Sequence, residues 1–172
     1  LALFGVTFLT EFLAFGVIFT ALPFRLESNL TPILVGVVLL TAESASMIAA
    51  LASGRLVRGR SSFQLIAIGF ACYGVGFLIF GFTTWIGAVA VAAMFAGVGV
   101  GLLLPSVDAA LSDQITQEYR AGAFSLRNST TFLGRFGGPI TFTGLAVTVG
   151  IGYTPLLLAS GVIAAGAAIL TA

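Results

Sequence analysis

Residues 63–104 read FQLIAIGFACYGVGFLIFGFTTWIGAVAVAAMFAGVGVGLLL, 42 positions without one charged side chain. A transmembrane helix needs about 20 apolar residues to cross about 30 Å of hydrocarbon. The stretch therefore holds two such helices, folded back at the short neutral turn near Gly81–Thr84. Working outward, runs of similar length lie at 2–22 and 32–52 before it and at 128–149 and 153–172 after it. With 63–82 and 84–104 they make six spans. Transmembrane strands would show segments of about ten residues with alternating polarity, and no such alternation is present. The expected fold is an all-α integral membrane protein of six transmembrane helices, each bonding its own backbone polar groups.

Composition excludes most other classes. Of 172 residues, 59% are hydrophobic and 8% charged, against about 25% charged in a soluble domain. There is no His, which removes His-based triads, haem ligation and the usual zinc sites. Cys72 is the single cysteine, so neither a disulfide framework nor a thiolate cluster can form. No metal and no cofactor is expected. A net charge of +1 gives no sign of nucleic-acid binding. An intramembrane serine protease would need a Ser–His pair and a metalloprotease H-E-x-x-H. Both aspartates, Asp108 and Asp113, fall between spans, so an aspartate pair is missing too. An enzyme is not expected. The first residue is Leu, which predicts that the chain is part of a longer protein.

The connections differ in charge. Segment 23–31 carries Arg25 and Glu27; segment 53–62 carries Arg55, Arg58 and Arg60 and no acid. Segment 105–127, read as the longest loop, carries Asp108, Asp113, Glu118, Arg120 and Arg127. Five of the seven arginines thus lie in the second and fourth connections. The positive-inside rule places these two in the cytoplasm, 23–31 outside, and both ends of the segment in the cytoplasm. Trp85 and Tyr153 then fall at the outer interface, where aromatic side chains collect.

An ionisable side chain at membrane depth is a functional candidate by default. Glu11 lies near the centre of the first span, with Thr7 and Thr10 on the same helical face and Phe8, Phe12 and Phe15 beside it. It reads as a binding-site carboxylate or as a hydrogen bond to another helix. Glu43 is central in the second span, among Thr41, Ser44, Ser46 and the small Ala42, Ala45, Ala49 and Ala50. That pattern fits a tight helix contact as well as a functional carboxylate. In the fifth span Asn128, Thr131 and Arg135 form a stripe. Arg135 could snorkel to the interface, pair with a glutamate, or face an anion. Pro139, after Gly137–Gly138, is expected to bend this helix. The run Gly97–Val98–Gly99–Val100–Gly101 lacks the preceding strand and following Lys of a phosphate loop, and predicts close helix packing. The third and sixth spans hold no ionisable side chain and are expected to be lipid-facing scaffold.

Two stretches carry a resemblance. One is Gly54–Arg55–Leu56–Val57–Arg58–Gly59–Arg60, which is similar to a degenerate G-x-L-x-D-R-x-G-R loop with Arg58 where the acid would stand. The other is Arg120–Ala121–Gly122 through Arg127–Asn128, followed by Leu133–Gly134–Arg135–Phe136–Gly137–Gly138–Pro139, where Gly134 and Gly138–Pro139 fit a G-x-x-x-G-P pattern. Together with six spans and alternating basic loops, the chain resembles the C-terminal six-helix half of a major facilitator superfamily transporter of the drug-efflux type. The resemblance implies two inverted three-helix repeats, 1–82 and 84–172, in one domain, 1–172, of a twelve-helix protein. It implies secondary active transport by alternating access, with a small-molecule substrate, the lipid bilayer and a further six-helix half as partners, in the plasma membrane. An aromatic, Thr-lined cavity with a carboxylate suits an amphipathic or cationic compound exchanged for protons, with Glu11, Thr7, Thr10, Glu43 and Arg135 as coupling residues. Glu11 is expected to be the coupling carboxylate and Glu43 to serve packing. Gly54, Arg55, Arg58 and Arg60 would form a cytoplasmic gate loop, and Gly134, Gly138 and Pro139 a helix bend. The alternative is a self-contained six-helix homodimer, either half-transporter or channel.

Overall fold

Helix α1, Ala2–Leu26, is α-helical to Leu13, π-helical over Ala14–Ala21 and α-helical again over Leu22–Leu26. The wider π step is matched by the Thr20 hydroxyl, which donates to the carbonyl five residues back, at Phe15 (2.8 Å). These features come from a computed structural model, which describes residues 2–56 and 59–172. Arg58, one of the expected gate residues, lies outside them.

Helix α2, Pro32–Leu56, starts at a proline, whose missing N–H costs nothing in the first turn. Gly54 and Arg55 form its last turn and not a loop. Helix α3, Ser62–Phe82, opens with a capping box in which Ser61 and Gln64 each bond the other's backbone N–H. Helix α4 runs Ile86–Gln114, α5 Arg120–Thr148 and α6 Tyr153–Thr171. Between α5 and α6, Gly150 takes φ +71°, the left-handed conformation that ends helices and favours glycine.

The expected 105–127 loop is corrected. Helix α4 continues through Pro105 to Gln114, a short 3-10 turn covers Gln117–Tyr119, and α5 begins eight residues before the expected 128. Pro105 breaks one backbone bond and not the helix. Each 29-residue helix is about 43 Å long, close to the roughly 40–45 Å of a bilayer with its polar layers. The charges of 105–127 therefore ride on helix ends beyond the hydrocarbon. Among the described residues five of the six helices are long and apolar enough to cross a membrane; α5 is the exception, because Arg120, Arg127, Arg135 and a run of Asn, Ser and Thr interrupt it.

Glycine contacts fix how the helices lie. Gly97 and Gly101 of α4 meet Ala42 and Ser46 of α2, and Gly134 and Gly138 of α5 meet Phe8 and Phe12 of α1. In both pairs the numbers rise together, so the helices are parallel. Gly69 and Gly76 of α3 meet Leu103 and Ala92 of α4, while Gly74 and Gly81 meet Ala165 and Leu158 of α6; these pairs are antiparallel. Successive helices therefore alternate in direction. Exchanging α1 with α4, α2 with α5 and α3 with α6 turns the α2–α4 pairing into α5–α1 and leaves α3–α6 in place. That is the pattern two inverted three-helix units produce.

The lipid-facing expectation for the third span is also corrected. Helix α3 packs along both α4 and α6, and its Phe70, Tyr73, Phe77 and Phe80 are fully buried. Lack of charge shows only that a helix needs no polar partner; lipid and a dry core are equally apolar. Broad exposed apolar faces belong to α2, through Ile33, Leu40, Met47, Ile48 and Leu51, and to α5, through Leu133, Phe136, Ile140 and Val147.

Candidate functional site

Helix α5 brings Arg135 onto α1, where its guanidinium donates to both oxygens of Glu11, Nε to Oε2 at 2.9 Å and Nη2 to Oε1 at 3.3 Å. A forked, charge-assisted pair of this kind is directional as well as strong. Glu11 is 3% exposed, whereas the Arg135 side chain is 41% exposed and rests over the Phe15 ring at 5.1 Å. Of the three readings open for Arg135, the structure shows pairing with a glutamate. The approach depends on glycine: a Cβ on Gly134 would lie 2.7 Å from the Phe8 carbonyl oxygen and 2.9 Å from Glu11 Cβ, and one on Gly138 would strike the Phe12 carbonyl. Gly134 and Gly138 thus let α5 close on α1. Helix α5 continues unbroken through Pro139.

Beside this pair lies a recess of about 340 Å³ between α1, α2, α4 and α5. Ala14, Phe15, Ile18 and Phe19 line it from the π-helical side of α1, and Val100 and Leu104 from α4. Its polar side chains are Glu11, Arg135, Glu43 and Ser46. The recess is thus mainly apolar and aromatic with a few polar groups, the usual make-up of a small-molecule site.

Glu43 stands at the middle of α2, exposed, with no hydrogen bond or ion pair to it among the described residues. The tight contact read from its alanines exists, but one position away. Gly97 would carry a Cβ onto the Ala42 carbonyl, and Gly101 one onto that of Ser46. Glu43 itself points into the recess.

Thr7 and Thr10 share Glu11's buried face, as their spacing implied. Neither lines the recess. Their hydroxyls donate to the carbonyls of Leu3 (3.0 Å) and Val6 (2.8 Å) one turn back.

Two further arginines hold helix ends together. Arg25 donates to the carbonyls of Gly81 (3.0 Å) and Thr83 (3.5 Å), satisfying the exposed C-terminus of α3. Phe24 beside it stacks on Tyr153, with ring centroids 5.6 Å apart. At the other end Arg127 lies 3.1 Å from Asp108, joining α5 to α4 without hydrogen-bond geometry. Arg55 and Arg60 lie at that same end and are exposed. Reading Asp108 and Arg127 as loop residues hid their contact; their signal was opposite charge at the facing ends of two helices.

Among the described residues no group of His, Cys, Asp and Glu could hold a metal ion. The sequence matches the family model of the Major Facilitator Superfamily over residues 3–172. No curated protein sequence matches it significantly.

Proposed function

The chain belongs to the Major Facilitator Superfamily, a family of membrane transporters, and we propose that it carries out proton-coupled efflux of an amphipathic, cationic small molecule by alternating access. One observation carries the substrate reading. The recess between α1, α2, α4 and α5 combines the aromatic Phe15 and Phe19 with a carboxylate, Glu43, that has no ion pair among the described residues. Aromatic faces and an anion together attract an organic cation. Helices α2 and α5, which both line the recess, also expose broad apolar faces, which suits closure by a further six-helix half, or by a second copy of the chain in a homodimeric transporter. Rocking of the two sides would then open the site to each membrane face in turn. The end bearing Gly54, Arg55, Arg60, Asp108 and Arg127, together with Arg58, would form the cytoplasmic gate, in the plasma membrane.

The test is gradient-driven uptake of tetraphenylphosphonium, an aromatic cation, by the protein reconstituted in vesicles. An acid interior should drive the cation inward, and a protonophore should abolish the effect. Uptake indifferent to the pH gradient would sink proton coupling. Orientation has its own test, with Cys72 replaced by Ser and single cysteines placed at Ser28 or Ser61. An impermeant thiol reagent applied to cells should label position 28 and spare 61; the reverse pattern would overturn the topology.

A further inference from the structure

We propose that Glu43, and not Glu11, is the carboxylate that takes up and releases the transported proton, and that Glu11 is a positioning residue committed to Arg135. This deepens the transport reading above and rests on it.

The two carboxylates line one recess under opposite conditions. Both oxygens of Glu11 accept from Arg135, and Glu11 is buried beneath α5. Freeing it means swinging the Arg135 guanidinium off a buried carboxylate, while the contacts at Gly134 and Gly138 hold α5 against α1. Its charge is already balanced, so a proton arriving there must displace a guanidinium.

Glu43 meets no such competitor. Among the described residues α1 offers the recess Glu11, α5 offers Arg135, and α4 offers Val100 and Leu104; the buried Tyr73 of α3 lies behind them, its hydroxyl donating to the Thr10 carbonyl (3.5 Å). Arg135 balances Glu11, and among the described residues Glu43, at the middle of a membrane-spanning helix, has no ion pair. Such a charge is expensive unless it meets water, a cation or a proton. A proton relieves it when no cation is bound, and a cationic substrate relieves it in place of the proton. That mutual exclusion is what exchange of the two across a membrane requires. The backbone that carries Glu43 is also rigidly held, because its neighbours Ala42 and Ser46 are the residues pressed by Gly97 and Gly101.

Dicyclohexylcarbodiimide, an apolar reagent that adds to protonated carboxyl groups, tests the assignment on the unaltered protein in vesicles. Mass spectrometry of its peptides should find the adduct on Glu43 and none on Glu11. An adduct on Glu11, or on neither, overturns the proposal. Arg135→Gln should make Glu11 reactive; if it stays inert, its pairing is not what silences it. Glu43→Gln should abolish the pH dependence of uptake, with Glu43→Asp restoring part of it. It should also weaken tetraphenylphosphonium binding about ten- to a hundredfold, the worth of one hydrogen bond or contact to a charged group. The double variant Glu11→Gln with Arg135→Gln removes two recess-lining groups and should lower uptake, but the uptake that remains should still depend on pH. Losing it there while Glu43→Gln retains it reverses the roles and refutes the proposal. If the adduct forms on Glu43 but tetraphenylphosphonium neither binds nor protects, the cation reading fails while the assignment of the exchanging carboxylate stands.

Discussion

The α1–α5 and α2–α4 seams are related by the exchange of the two halves, and both are parallel contacts built on glycines four residues apart. They differ in chemistry. The α2–α4 seam places Gly97 and Gly101 against the carbonyls of Ala42 and Ser46, and no charged pair crosses it among the described residues. The α1–α5 seam adds the Glu11–Arg135 pair and the Phe15 ring beneath it. In lipid, where no hydrophobic force draws helices together, small residues supply close van der Waals contact. An ion pair adds direction, because a fork of donors accepts only one placement of the carboxylate. The comparison teaches that glycine spacing sets how near two helices come, while the charged pair decides which carboxylate stays available. Glu11 lost its freedom to the seam, and Glu43, on the seam without an arginine, kept it.

Removing the arginine should break the comparison most severely. Arg135→Leu strands the buried Glu11 carboxylate, which should cost at most about 3–5 kcal/mol of stability in detergent unfolding, the figure for fully buried pairs, since the Arg135 side chain is itself 41% exposed. Glu11→Leu combined with Arg135→Leu should recover most of that. If the double variant is no more stable than the single, the pair does not hold the seam.

Next come the glycines. Gly97→Ala and Gly101→Ala on one seam, and Gly134→Ala and Gly138→Ala on the other, should each cost about 1–3 kcal/mol by overpacking against backbone. Gly5 and Gly36 have nothing within 4 Å of an added Cβ, and their alanine variants should gain up to about 0.5–1 kcal/mol from reduced chain entropy. Equal losses at all six positions would mean that the seams are not the cause. A smaller change is expected from Phe15→Leu, about 0.5–1 kcal/mol for the lost cation–ring contact, and it should disappear in an Arg135→Leu background. Smallest of all, Asp108→Asn should shift stability by less than about 1 kcal/mol, since the Asp108 side chain is 41% exposed. A larger loss there would make the α4–α5 end contact a third seam in its own right.

How far the chain could be read without coordinates follows from what each residue needs. The glycine run 97–101 announced close packing, because in a membrane helix glycine offers little else. Gly134 and Gly138 were legible as special but not as a contact surface, since Pro139 beside them suggested bending. Charges near Pro105 suggested a loop because a sequence does not record the depth of the bilayer's polar layer, in which a charged helix end is at ease. The π-helical stretch 14–21 left no distinct mark, as AFGVIFTA suits a regular helix equally well.

By itself the sequence determined the class: an apolar chain cut into lengths of about 20 residues has no alternative to membrane helices, because backbone groups in lipid must bond within the segment. It also singled out Glu11, Glu43 and Arg135 as the ionisable groups expected at membrane depth, from their position along each run. Only the tertiary structure decided their partners. Arg135 is 124 residues from Glu11 and 92 from Glu43, and either pairing would satisfy its charge. Which one forms depends on the packing of α5 against α1 through Gly134 and Gly138, a matter of interhelical distance that no local pattern encodes.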